Sequence, residues 1–142
     1  MSDGPDSEHR RPEGVGDTTV EALGKLSEAL EVVERVRGQL YTLHQLVGEA
    51  DFKLDDAVEL LGRAGHHDLA ERIRHELIGR NVIGGRWTFQ IVEEFDDGYY
   101  AEFRALEKDA RDQLVQGRRH LYEAELKERR RTRGRRGHEA RP

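Results

Sequence analysis

Residues 87–103 read Trp87-Thr-Phe-Gln-Ile-Val-Glu-Glu-Phe-Asp-Asp-Gly-Tyr-Tyr-Ala-Glu-Phe103, and the fold turns on how they are taken. Trp87, Phe89 and Ile91 alternate as a half-buried strand does, and Asp96-Asp97-Gly98 has hairpin-turn chemistry. That reading makes a winged DNA-binding domain behind two short helices. The competing pattern is longer. Val92, Phe95, Tyr99, Phe103, Leu106, Ala110, Leu114, Gly117 and Leu121 recur at spacings of 3 and 4 with an eleven-residue period, which suits a nearly straight helix. It passes through Asp96-Asp97-Gly98 without a change of phase. The longer pattern favours one helix over residues 88–132. Glu93, Glu94, Asp96 and Asp97 then stand in its first turns and basic residues in its last, as the helix dipole prefers.

Upstream, Ala22, Leu26, Ala29, Val33, Val36, Leu40, Leu43 and Val47 alternate at spacings of 4 and 3. This is a heptad seam, and it predicts a first long helix over residues 18–48. Leu23, Leu30, Val32 and Leu46 widen the apolar stripe beyond what one partner helix covers. Gly24 and Gly38 weaken that helix by ~1 kcal/mol each relative to Ala. Gly48 and the acids near Asp51 are read as its end. Leu54, Ala57, Val58 and Leu61 mark a short helix capped by Asp55, and Leu69, Ala70, Ile73 and Leu77 mark another, ending near Gly79. The expected fold is all-α: two long antiparallel helices with two short ones completing a bundle at one end. The bundle covers residues 18–132. Residues 1–17 and the basic tail 133–142 are too polar to offset the entropy of ordering and are expected to be disordered.

A chain of 142 residues with 37% charged and 35% hydrophobic residues holds one domain at most and no large enzyme core. It has no cysteine, which excludes disulfides, thiolate metal sites and cysteine nucleophiles. Residues 1–17 carry no apolar run of the secretory type, and no stretch approaches the ~20 apolar residues of a membrane helix. A cytoplasmic protein without membrane insertion is the expectation. The net charge of −5 conceals a division. Residues 118–142 carry ten bases against four acids, net +6, and the remainder carries −11.

Few residues suggest chemistry. His67, Glu71 and His75 stand at i, i+4 and i+8, a spacing that can hold a metal. They lie opposite the apolar face of their helix, so a solvated polar face is the preferred reading, with no metal or other cofactor expected. His44 borders the seam as a partly buried, hydrogen-bonded side chain. His120 and Glu123 form an HxxE pair, but no ExxH occurs, which excludes a di-iron bundle site. The acids from Glu93 to Asp97 serve the helix N-terminus; a small metal- or ligand-binding enzyme using them, or the His67 face, is the alternative. No GxSxG, HExxH or Walker pattern is present. Six of the nine aromatics fall within residues 87–103 and are expected to pack the short helices on the long pair.

The sharpest signal is the segment carrying Lys127, Arg129, Arg130, Arg131, Arg133, Arg135 and Arg136. Its composition suits nucleic-acid phosphates, an acidic protein or a membrane surface, against the competing reading of a solvated tail with no partner, and no aromatic interleaves it for base stacking. The runs Arg86–Tyr100 and Tyr122–Arg131 resemble small uncharacterised helical proteins of high-GC Gram-positive bacteria, over roughly residues 20–132. That resemblance implies a helical fold and no particular activity. The sequence thus points to a non-enzymatic scaffold or interaction protein. Its wide seam leads to the expectation of a homo-oligomer, and its C-terminus to that of an anionic partner.

Overall fold

A computed structural model describes residues 4–141. The chain is all-α. Among the described residues it has no strand, only an isolated bridge between Ile83 and Arg86. The hairpin of a winged domain is therefore absent from residues 87–103. No helix is long and apolar enough to cross a membrane among the described residues. Two units are distinguished: the chain up to Val33 with the chain from Tyr100 onward, and Glu34–Tyr99.

Helix α1 (Asp17–Arg63) is unbroken, which corrects the expected end at Gly48 and the separate short helix with its Asp55 cap. The reason lies in which residues face inward. In Glu34–Tyr99 positions 37, 40, 44, 47, 51, 54, 58 and 61 of α1 are shielded at alternating spacings of 3 and 4, with Gly48 and Gly62 shielded beside them. The seam continues through Gly48, and its inward line includes three polar residues a heptad apart: Arg37, His44 and Asp51. Each has a partner. Arg37 donates to Asp96 from Nε at 2.8 Å and from a terminal nitrogen at 3.2 Å. His44 Nδ1 lies 2.6 Å from the Thr88 hydroxyl. Asp51 accepts from the Gly79 amide at 2.9 Å. Asp51 thus holds the turn after α2 (His67–Glu76) instead of ending α1. Helix α3 (Thr88–Phe95) runs antiparallel to this part of α1, as the Arg37–Asp96 and His44–Thr88 pairs require. Val58, Ala70 and Val92 are the buried apolar residues of this unit.

The helix beginning at α3 does not keep the expected phase. Asp96–Tyr100 forms a π-helical turn before α4 (Ala101–Val115). A π turn holds one extra residue and rotates the helix beyond it. Of the expected inward line, Phe103 and Ala110 stay partly buried, but Tyr99, Leu106 and Leu114 are 60%, 56% and 52% exposed, and the next residues, Tyr100, Glu107 and Val115, are buried.

Nor does the helix continue to residue 132. Gln116 and Gly117 take left-handed backbone, with φ of 58° and 74°, and both amides reach Arg111 O. A Cβ on Gly117 would meet Asp112 Oδ1 at 2.7 Å. His120, also left-handed, precedes α5 (Leu121–Arg130). In this unit Val20, Leu23, Val115 and Leu121 form the core, with Val15, Ala110 and Tyr122 packed on it. Helices α1 and α5 approach closely at Gly24, where an added Cβ would lie 3.1 Å from Tyr122 Cβ and Cγ. Buried Glu107 accepts from the Ser27 hydroxyl at 3.0 Å and from Arg111 Nε at 2.8 Å. Arg111 also donates to Gly117 O at 3.0 Å, which stabilises the end of α4.

Both chain ends have defined contacts. Composition led to an expectation of disorder for residues 1–17, of which residues 1–3 lie outside those described. From residue 4 on, charged hydrogen bonds substitute for apolar burial. Arg11 holds Glu125 through two nitrogens, at 3.0 and 2.6 Å, and reaches Asp17 at 2.8 Å. These two carboxylates raise its already high pKa. Pro12 beside it is buried. Past α5, the Thr132 amide donates to His138 Nδ1 at 2.9 Å, and Arg141 Nε donates to Gly4 O at 3.1 Å. Pro142 lies outside the described residues.

Candidate interaction surfaces

The seven basic residues singled out in the sequence divide in two. Lys127 donates to Ala140 O at 2.5 Å. Arg131, its side chain 7% exposed, pairs with Glu128 at 2.9 Å and reaches His138 O. These two residues fold the tail over α5. Arg129, Arg130, Arg133, Arg135 and Arg136 are exposed. Turns at Arg135 N to Thr132 O and His138 N to Arg135 O shape the loop that carries the last three. Exposed guanidinium groups on a shaped loop and a helix end can meet phosphates or carboxylates bidentately.

A second surface was only half legible in the sequence. Within Glu34–Tyr99, one line of α1 passes through 36, 39, 43, 46, 50, 53, 57 and 60, again at spacings of 3 and 4, and faces solvent throughout. It carries Val36, Leu43, Leu46, Ala50, Ala57 and Leu60, with Gln39 and Lys53 interposed. Leu46 and Leu60 are more than half exposed. The sequence pattern placed Val36 and Leu43 on the inward seam. The structure places their polar neighbours Arg37 and His44 there, and turns the apolar pair outward.

The acids of residues 93–97 do not converge. Glu94 pairs with Arg86 at 2.7 Å and Asp96 with Arg37. The Arg37 hydrogen bonds hold the Asp96 carboxyl below its ordinary pKa, where it cannot act as a proton donor near neutrality. On α2, His67, Glu71 and His75 are all exposed. Glu71 pairs with Arg74, and the three do not form a converging group. A groove of about 380 Å³ lies beside α1 against the segment after α2, lined by Val47, Leu54, Leu77 and Val82. Its one acid, Asp51, already accepts the Gly79 amide.

One group of metal-ligating side chains does converge among the described residues: Glu31, His120 and Glu123, with a ligand atom of each within 4.8 Å of the others. The HxxE spacing made two of the three visible in the sequence. Glu31 was missed because its approach depends on α5 lying against α1 after the break at Gln116–Gly117.

No protein-family model, curated protein or solved structure matches the chain.

Proposed function

We propose that this is a non-enzymatic helical interaction protein that pairs with a second copy of itself through the outer line of α1 and offers its C-terminal arginines to an anionic partner. The outer apolar line carries this reading. Val and Leu recurring at heptad spacing make a continuous apolar strip along a solvent-facing helix, which a coiled-coil partner would cover. The flanking column, one residue earlier in each heptad, is Arg35, Thr42, Glu49 and Asp56, all exposed. It runs from basic to acidic. An antiparallel pair sets Arg35 of one copy against Asp56 of the other, and a parallel pair sets like charges together. Self-association in the antiparallel sense follows. The pairing of Glu94 and Asp96 with arginines, and the water-facing positions of His67, Glu71 and His75, support a non-enzymatic role over the alternative of a small enzyme.

Sedimentation equilibrium tests the association. The wild-type chain should have twice the mass of the 16.4 kDa monomer. Leu43→Glu with Leu46→Glu should yield a monomer of unchanged helicity, because both side chains already face water within one chain. A wild-type monomer at high micromolar concentration refutes the reading.

A further inference from the structure

We propose that Glu31, His120 and Glu123 form a binding site for a divalent transition-metal ion of the zinc class. All three ligands come from one chain, so the site is independent of self-association. His120 and Glu123 stand one turn apart at the start of α5, and Glu31 projects from α1. The His120 carbonyl accepts the Ala124 amide at 2.8 Å, so the turn that carries both ligands is closed. The close approach at Gly24 and Tyr122 sets α5 against α1. Two helices thus supply Glu31 and Glu123, and His120 is the cap residue on which α5 begins, a firmer base than a free loop.

Electrostatics call for a cation here. Two carboxylates converge, and among the described residues Glu31 has no ion pair or hydrogen bond. Among the described residues the one charged contact of Glu123 is with His120 Nδ1, at a loose 3.9 Å. Arg118, two residues before His120, is turned away to Arg10 O and the Gln116 side chain, and Arg119 between them is exposed. The donor set selects the ion. An imidazole with two carboxylates suits zinc and its first-row neighbours, whereas calcium and magnesium prefer oxygen alone. Tetrahedral bonds of ~2.0–2.2 Å place ligand atoms ~3.3–3.6 Å apart. The ligand atoms, all within 4.8 Å of one another, must therefore close by at most about 1.5 Å, a small rotation for partly exposed side chains. Three protein ligands leave the fourth position to water.

Calorimetric titration of the full chain with Zn²⁺ alone, in a non-chelating buffer, tests the site. One ion per chain should bind with micromolar affinity. Glu31→Gln and His120→Gln should each weaken binding by about tenfold or more, on the scale set by supporting residues of known metal sites. His67→Gln with His75→Gln, and the Leu43→Glu, Leu46→Glu monomer, should bind as the wild type does. Circular dichroism monitors folding of each variant. Independently of any variant, Mn²⁺ should broaden the imidazole proton signals of His120 before those of His67 or His75. Absence of Zn²⁺ binding at high micromolar concentration, wild-type binding by the Glu31 and His120 variants, or broadening centred on His67 or His75 overturns the assignment.

Discussion

Two glycines of α1 show how far one methyl group reads out the packing. Both weaken the helix by the entropy they carry into the unfolded chain. At Gly38 an added Cβ meets nothing within 4 Å, so Gly38→Ala should raise stability by ~0.5–1 kcal/mol. At Gly24 the same methyl meets Tyr122 Cβ and Cγ at 3.1 Å. Those atoms lie at the near end of the side chain and move only with α5. Overpacking there should cancel the propensity gain and cost ~1 kcal/mol net. Urea unfolding of the two variants should therefore move in opposite directions; equal stabilisation would mean that α5 does not rest on Gly24. Arg37, His44 and Asp51 make a related point. A polar residue on a helical seam fixes register when its partner is placed to match, and each of the three has a partner from another element.

At the scale of elements, the π turn at Asp96–Tyr100 is the feature with the widest consequences. It moves the buried line of α4 one residue along the chain, from Leu114 to Val115. Val115 is fully buried, and Val115→Ala should cost about 2 kcal/mol through lost burial and a cavity. Leu114→Ala should stay within about 0.5 kcal/mol, as exposed substitutions do. Thermal unfolding that ranked the two the other way would restore the unshifted phase. The all-α class was legible in the sequence because both periodicities run far longer than any strand. So was α2, whose Ala70 and Ile73 face inward as expected, although Leu69 and Leu77 are each 48% exposed. The rest was hidden for two physical reasons. Apolar periodicity follows the most hydrophobic line on a helix, and here polar residues with partners occupy the inward line beside it. Likewise, the residues of a π turn or a left-handed break keep their spacing in sequence while the backbone changes phase or direction. Leu121 stands in phase with α4 on paper and begins another helix in the structure. The same break brings His120 and Glu123 toward Glu31, so the third ligand of the proposed metal site could not be seen before the fold.

For the whole molecule, the proposed anionic partner must contend with a chain that is itself acidic. The region 118–142 carries +6 and the remainder −11. A polyanion is drawn to one end of the sequence and repelled by the rest, which limits affinity and restricts contact to the exposed arginines. Of the seven bases first singled out, Lys127 and Arg131 are engaged in folding the tail. Replacing them would confuse loss of binding with loss of structure. Arg129, Arg130, Arg135 and Arg136 are the informative set. Changing all four to Gln moves the net charge from −5 to −9 and leaves the Arg131–Glu128 and Thr132–His138 contacts in place. Each phosphate neutralised contributes ~0.7–0.9 to the slope of log K against log salt, so four contacts give a slope of about −3. Base preference should be weak, because guanidinium groups without interleaved aromatics meet phosphates more readily than bases. The expected outcome is that wild-type protein retains single-stranded RNA at low salt with that slope, and that the fourfold variant, with unchanged helicity, loses retention. Equal retention by both proteins would place the contact elsewhere. Absence of retention by the wild type even at low salt would turn the arginines toward an acidic protein surface, where fewer, bidentate carboxylate contacts tolerate salt better than a phosphate chain does.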